Sequence, residues 1–157
     1  MTTVTAKIRV YVDLDQATLL ERTLDAYKHA SNWLSGHVFT TFNLSQPSLN
    51  NLHYQELRTL FGLKSQMAQS VMKTVIARYK STRTNGHEWG KVVFKHHELD
   101  LVFNRDYSVN DTVFSVNTLD GRVKLPYQRK GMTKYFDGTW AFGTAKRSEE
   151  RRVGKEC

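Results

Sequence analysis

The strongest pattern in the chain lies between residues 63 and 81, where apolar side chains recur at the spacing of an amphipathic helix. At about 100° per residue, one continuous arc holds Met67, Ala68, Val71, Met72, Val75, Ile76 and Tyr79. The opposite side holds polar residues, including Gln66, Gln69, Lys73 and Lys80. We therefore predict a helix that begins just after Gly62 and buries its apolar face. An ordinary core helix with a solvated Lys/Gln face has the same pattern, so the rest of the chain must distinguish the two.

The residues before this helix predict a strand, two further helices and a loop. Residues 7–12 alternate between apolar and polar side chains, which is the pattern of a half-buried strand. Asp13 or Asp15 then caps a helix expected from about residue 16 to residue 40. Residues 43–51 carry a proline and several turn formers, so we predict a loop there. A short helix follows, marked by Tyr54, Leu57, Leu60 and Phe61.

Beyond residue 82 the pattern changes to short apolar runs separated by turn signals, which is typical of strands. The runs cover residues 91–95, 99–103, 113–117, 122–125, 134–136 and 140–144. Asp120-Gly121 and Asp137-Gly138 are typical hairpin turns. With the N-terminal strand, these runs predict an α+β fold in which the helices are inserted between the first and second strands of a small antiparallel barrel.

The net charge of the chain indicates which class of partner it binds. The chain of 157 residues has 23 lysines and arginines against 15 acidic residues, a net charge of +8. This balance favours a polyanionic partner over an acidic-site enzyme or a neutral scaffold. The sequence has no apolar run of membrane-spanning length and no secretory leader. We therefore expect a cytoplasmic protein with no membrane partner.

Residues 147–157, RSEERRVGKEC, resemble a translated sequencing adapter, and we leave them out of the fold prediction. Without them, 19 basic residues face 12 acidic ones and the net charge is still +7. The single cysteine, Cys157, lies in this tail, so residues 1–146 hold no thiolate zinc site and no cysteine nucleophile. We expect the natural protein to continue past Lys146.

Other groupings of polar residues give little sign of catalysis. Asp13 and Asp15 are better explained by helix capping, and Glu98 with Asp100 by strand alternation. Three histidines, His87, His96 and His97, lie within eleven residues, but the adjacent pair points to opposite faces of a strand and no cysteine completes a zinc set. We predict no catalytic residue and no metal site in this chain.

Several short motifs are specific when taken together. They are KIRVY at 7–11, Asn32-Trp33, ARYK at 77–80, Phe94-Lys95, LVFNRDYS at 101–108 and LDGRVKLP at 119–126. In this combination the chain resembles the N-terminal part of TnpB (OrfB-type) transposon proteins, compact relatives of type V CRISPR effectors. One departure is Val12, where the family usually has proline.

The resemblance implies an RNA-guided DNA endonuclease whose N-terminal half is an OB-like wedge barrel. Residues 1–13 would form its first strand, 14–90 a helical recognition insertion, 91–146 the remaining barrel strands, and 147–157 the adapter-derived tail. The partners implied are a guide RNA and double-stranded target DNA. The family's nuclease half, with its magnesium-binding carboxylates and cysteine zinc ribbon, would lie downstream, so this fragment would hold no cofactor and would not be an enzyme.

By position in the motif, Tyr54, Ser65 and Gln69 resemble the family residues that read a short target-adjacent DNA motif. A glutamine can pair bidentately with an adenine edge, although Gln69 also fits a solvated helix position. Five basic residues are expected to contact nucleic-acid phosphates: Lys73, Lys80, Arg83, Lys95 and Arg105. Arg78 falls within the apolar arc, where it either extends along the core or points into a groove, and Phe94 is expected in the core.

Two functions from different classes remain open. The first is the recognition half of a TnpB-like nuclease, and the second is a self-sufficient helix-turn-helix DNA-binding regulator with an appended barrel. The resemblance in the β-rich half favours the first. A complete enzyme is the third possibility, and the missing carboxylate, cysteine and metal-ligand patterns disfavour it.

Overall fold

The computed structural model describes residues 3–96, 100–101, 103–129, 133–136, 138–143 and 145–146. These residues form two compact units. The helical unit spans Glu21–Asp100, and the sheet unit joins Met1–Leu20 with Leu101–Ala145. Three α-helices and an antiparallel four-stranded sheet in the described residues confirm the α+β class. The domain boundaries expected at residues 14, 91 and 147 stay predictions.

The first helix, α1, covers Leu14–Thr41 and confirms the expected span. Its start is a reciprocal cap: the Gln16 N–H donates to Asp13 Oδ1 (2.8 Å) and the Asp13 N–H donates to Gln16 Oε1 (3.0 Å). This capping box satisfies two backbone donors that the first helical turn leaves without partners. Asp13, not Asp15, is therefore the cap.

The second helix, α2, covers Gln46–Phe61 and begins inside the segment predicted as a loop. Ser45 is its N-cap, with the Ser48 N–H donating to the Ser45 hydroxyl oxygen at 3.4 Å. Pro47 lies in the first turn, where a missing N–H breaks no helical hydrogen bond. The loop prediction over residues 46–51 was wrong because the proline marks a helix start.

The third helix, α3, covers Ser65–Thr84. Gly62 ends α2 in the left-handed conformation at φ 69°, and its N–H donates to the Arg58 carbonyl oxygen at 3.0 Å. All seven residues of the predicted apolar arc are buried. The amphipathic helix and its buried face are confirmed.

Residues 91–95 do not form the expected strand. Their backbone is held instead by side chains of the helices. The Asn32 amide donates to the Phe94 carbonyl oxygen (3.0 Å) and accepts from the Phe94 N–H (2.7 Å). Because one side chain supplies both the donor and the acceptor, Asn32 makes the two hydrogen bonds to the Phe94 backbone that a neighbouring strand would otherwise make. Phe94 is buried as predicted, and the exposed Arg78 lays its guanidinium over the Phe94 ring, 5.0 Å from the centroid.

The Tyr79 hydroxyl fixes the same extended segment to both helices. It donates to the Ser35 carbonyl oxygen at 2.9 Å and accepts from the Val92 N–H at 3.2 Å. The Ser35 hydroxyl lies 2.8 Å from the Tyr79 oxygen and donates to the Val92 carbonyl oxygen. One buried tyrosine thus joins α1, α3 and the segment after α3.

The strands of the structure are short. They are β1 (Arg9–Val10), β2 (Asp100–Leu101), β3 (Tyr107–Val109), β4 (Val113–Thr118), β5 (Gly121–Gln128) and β6 (Ala145–Lys146). Four of them form a sheet in the order β1-β5-β4-β3, with every neighbouring pair antiparallel, and β2 pairs with β6. β1 lies at one edge, with Arg9 opposite Gln128. The closed barrel predicted from the sequence stays a prediction.

The β4–β5 hairpin confirms two strands and one turn of the sequence prediction. Thr118 pairs with Gly121 across the turn, and Gly121 takes φ 107°, a value that side chains disfavour. β3 was missed because it is only three residues long, although the Asn110 side chain marks its hairpin by accepting from the Val113 N–H at 2.8 Å. Asp137, of the second predicted turn, lies outside the described residues.

Two strand predictions near the C-terminus were wrong. Thr133–Phe136 forms a 3-10 turn, and residues 140–143 form no strand. Aromatic contacts hold this region, with the Phe136 ring 5.5 Å from Phe142 and the Arg129 guanidinium 4.8 Å from the Phe136 centroid. Apolar residues at strand spacing here pack as an aromatic cluster, so periodicity alone misassigned them.

We predict opposite stability effects for two glycine substitutions. A Cβ at Gly36, inside α1, would meet only the Lys91 side-chain end at 3.9 Å, so Gly36→Ala should raise the free energy of unfolding by about 1 kcal/mol through helix propensity. Gly62→Ala should lower it by about 1 to 2 kcal/mol, because φ 69° strains a side chain. Urea denaturation of both variants measures the difference, and destabilisation by Gly36→Ala would contradict this packing of α1.

Candidate nucleic-acid interface

A polar groove runs between α2 and α3, and it contains three of the residues singled out in the sequence. Tyr54 on α2 makes a side-chain hydrogen bond with Ser65 at the start of α3, and this bond lowers the pKa of Tyr54 below 10.0. Arg58 adds a smaller effect of the same sign, with Nη1 3.5 Å from the phenol oxygen.

Gln69 lies one helical turn beyond Ser65 and joins the same groove. The Gln46 amide donates to Gln69 Oε1 at 3.2 Å, and Gln69 Nε2 donates to Asn50 Oδ1 at 2.6 Å. Gln46, Asn50 and Tyr54 follow one another at four-residue spacing along α2. We call these five residues, Gln46, Asn50, Tyr54, Ser65 and Gln69, the polar groove.

The hydrogen bonds of Gln69 limit its orientation but do not exhaust its bonding capacity. A carboxamide oxygen accepts two hydrogen bonds and its nitrogen donates two, and one of each is used within the groove. One donor and one acceptor remain, which is the combination that matches the N7 and N6 positions of adenine. The half-buried Gln69 is therefore held by α2, and the pairing of its remaining donor and acceptor with a base edge stays a prediction.

Gln46 and Asn50 were not identified from the sequence. Because their segment was predicted as a loop, the four-residue spacing of Gln46, Asn50 and Tyr54 could not be interpreted as one face of a helix. The Ser45 cap with Pro47 in the first turn was the signal that extends α2 far enough to find them.

A basic face continues from the groove along α3. Lys73, Lys80 and Arg83 are exposed, and helical spacing puts them within about 80° of Ser65 and Gln69. No acidic residue occurs between Glu56 and Glu88. The helix dipole stabilises cations in the last turn of α3, but this effect does not extend to Lys73 in the middle of the helix.

The two remaining candidates lie outside α2 and α3. Lys95 is exposed and follows Phe94 in the helical unit, while Arg105 is exposed in the sheet unit. Arg105 stands in a turn where Asn104 takes φ 71°, and its carbonyl oxygen accepts from Arg122 Nη2 at 3.4 Å. Both side chains are accessible to a phosphate group, and their roles stay predictions.

The groove is positioned by contacts of α1 with the other two helices. The Trp33 ring lies edge-on to His53 of α2 (5.3 Å between centroids) and 4.4 Å from His37 on its own helix. The hydroxyls of Tyr27 and Thr74 lie 2.9 Å apart and tie α1 to α3. Trp33, noted in the sequence as part of a motif, therefore packs α1 against α2 through His53, the residue before Tyr54.

Within the part of the chain that the structure describes, no group of three or more His, Cys, Asp or Glu side chains is placed to hold a metal ion. Among those residues, no helix is long and apolar enough to cross a membrane. His97 and Glu98, weighed from the sequence, lie outside the described residues.

Comparison of the chain with protein-family models, with curated proteins and with solved structures gave no match. The interpretation of the groove and the basic face is therefore based on their geometry and charge alone.

We predict that Ser65→Ala raises the pKa of Tyr54 toward its ordinary value of 10.0, because it removes the hydrogen bond that contributes most to the shift. Arg58→Lys should change the pKa less, since it keeps a positive charge beside the phenol. Titration of carbon-13-labelled tyrosine by NMR measures both values. A Tyr54 pKa that is insensitive to Ser65→Ala would contradict the proposed contact between α2 and α3.

Proposed function

We propose that this chain is the nucleic-acid-recognition part of a TnpB-like RNA-guided nuclease. In this proposal the basic face grips guide RNA, and Tyr54, Ser65 and Gln69 in the polar groove read a short motif in duplex target DNA. The guide RNA then specifies the remainder of the target by base pairing. The magnesium-dependent nuclease chemistry and the structural zinc belong to the half that follows, and this chain alone is not an enzyme.

The distribution of charge is the observation that carries the proposal. Six cations between Arg58 and Arg83 have no acidic residue among them, and three of these cations lie on the same side of α3 as the groove. A solvated core helix gains stability from alternating charges spaced by four residues, and α3 lacks them. A continuous basic face beside amide and hydroxyl groups instead suits phosphate contacts next to base contacts.

The path of the chain supports the wedge-barrel part of the proposal. β1 precedes all three helices, yet it pairs with β5, which follows them. Along the chain, the helices therefore come between two strands of one sheet, which is the order expected for a recognition insertion after the first barrel strand. Closure of the sheet into an OB-like barrel is part of the proposal.

A second candidate function rests on the connection between α2 and α3. Only residues 62–64 separate the two helices, and a turn of three or four residues containing glycine is typical of helix-turn-helix proteins. A stand-alone regulator of this class would insert the start of α3, with Ser65 and Gln69, into the major groove. It would bind duplex DNA without RNA.

We predict that residues 1–146 bind structured RNA with a steep dependence on salt concentration. Replacing Lys73, Lys80 and Arg83 together with alanine should flatten the plot of log K against log salt by roughly two to three units, because each lost phosphate contact releases fewer counterions. A matched variant that exchanges lysine and arginine at the three positions should keep the slope. An unchanged slope in the alanine variant would show that these three residues do not contact phosphates and that α3 is an ordinary core helix with a solvated outer face.

We predict a different effect for Gln69→Ala in a complex completed with the nuclease half. If Gln69 reads a base, the salt slope stays almost constant, and the preference at one motif position falls by about 1 to 3 kcal/mol. A randomised duplex library measures this preference. Tight, sequence-specific duplex binding by residues 1–146 without RNA would instead favour the helix-turn-helix regulator.

A further inference from the structure

Three aromatic rings form a series from the core of the helical unit to its surface. Tyr79 is buried, Trp89 is half-buried, and Phe42 is 67% exposed. The Trp89 ring lies 4.9 Å from Tyr79 at an interplanar angle of 31°, and 4.9 Å from Phe42 at 28°. The Phe42–Trp89 contact is stacked and the Trp89–Tyr79 contact is tilted, and the exposure of Phe42 leaves the outermost ring open to solvent.

The inner rings of this series are fixed by hydrogen bonds. The Trp89 indole N–H donates to the Phe39 carbonyl oxygen at 3.0 Å, which also satisfies a carbonyl group at the end of α1. The Tyr79 hydroxyl bonds with Ser35 and Val92 as described above. A rigid support lowers the ordering cost of binding a flat ligand on the outer ring.

Neither backbone conformation nor core packing explains why residue 42 is a phenylalanine. Phe42 follows the end of α1 with φ 56°, the left-handed conformation in which glycine is favoured at a helix end. The side chain is too exposed for a core position. An exposed aromatic residue held in a strained conformation is a feature that clusters at binding sites.

The positive charge of the surrounding sequence favours a negatively charged ligand. Between residues 78 and 95 the chain has five lysines and arginines against the single Glu88. Arg83 is four residues beyond Tyr79, so the two residues lie about 40° apart around α3, with Arg83 exposed. On α1, a Cβ at Gly36 would be 3.9 Å from Lys91 Nζ, which places this ammonium alongside the helix that Phe42 follows. A flat ring bordered by cations complements an aromatic ligand that carries phosphate groups.

We propose that Phe42 and Trp89 form a stacking platform for an unpaired nucleobase of a single-stranded nucleic acid, with Arg83 and Lys91 beside its phosphates. The proposal rests on the nucleic-acid-binding function proposed above and adds a site for a base outside any duplex. Stacking on aromatic side chains is the common means of holding such bases, because every base has a π face.

The test measures the affinity of residues 1–146 for fluorescently labelled strands of about ten nucleotides by anisotropy. The strands are oligouridylate, oligothymidylate and an abasic strand of equal length, which keeps the phosphates and lacks the bases. Phe42→Leu removes the π face and keeps an apolar side chain, whereas Phe42→Tyr keeps the ring. Urea denaturation of each variant confirms that it is folded.

We expect Phe42→Leu to weaken binding of the base-bearing strands by roughly 5- to 150-fold and Phe42→Tyr to preserve it. The abasic strand should bind the wild type and Phe42→Leu equally. Tighter binding of oligouridylate than of oligothymidylate would identify RNA as the source of the base, and the reverse order would identify DNA.

Equal wild-type affinity for base-bearing and abasic strands would overturn the platform. If that binding still weakened steeply with salt, the proposed function would stand without the platform. Unchanged affinity of Phe42→Leu for the base-bearing strands, or absence of binding to every strand, would also overturn the platform, whereas the proposed function is overturned only by failure to bind structured RNA.

Discussion

The helical unit depends on the buried hydroxyl of Tyr79. An extended segment beside helices has backbone groups that need partners, and leaving a buried group without one costs about 1 to 3 kcal/mol. Tyr79 and Ser35 supply these partners at Val92, and the Asn32 amide supplies them at Phe94. The chain after α3 is thereby held against α1 and α3 without a strand, and the apolar face of α3 stays covered.

Because its apolar face is covered in this way, α3 has only its outer face available for a partner. That face begins in the polar groove, where α2 holds the Gln69 amide, and continues through Lys73 to the basic last turn. The same Tyr79 that closes the core also supports Trp89 and, through it, the exposed ring of Phe42. Side-chain amides, lysine and arginine side chains and an exposed aromatic ring are thus presented by one set of packed helices.

The sequence was sufficient to predict α1, α3 and the β4–β5 hairpin. The two helices combine a helical period with a clear boundary, the Asp13 cap before α1 and Gly62 before α3, and the hairpin has the Asp120-Gly121 turn. It was insufficient at Pro47, where one residue is typical of both a loop and a helix start, and the error hid Gln46 and Asn50. It also failed over residues 91–95, since a short apolar run indicates an extended backbone and not the identity of its hydrogen-bond partner. Tyr54, Ser65 and Gln69 were proposed by resemblance alone, and their proximity follows from the way α2 and α3 pack.

The most direct test of a nucleic-acid interface on α2 and α3 is NMR titration of the nitrogen-15-labelled chain with a structured RNA at low salt. We expect the largest chemical-shift changes on the backbone of the outer face of α3 around Lys73, Lys80 and Arg83, because this basic face is the proposed RNA contact, with the buried Met72 and Val75 little affected. Changes confined to the sheet unit, or no change at saturating RNA, would contradict it.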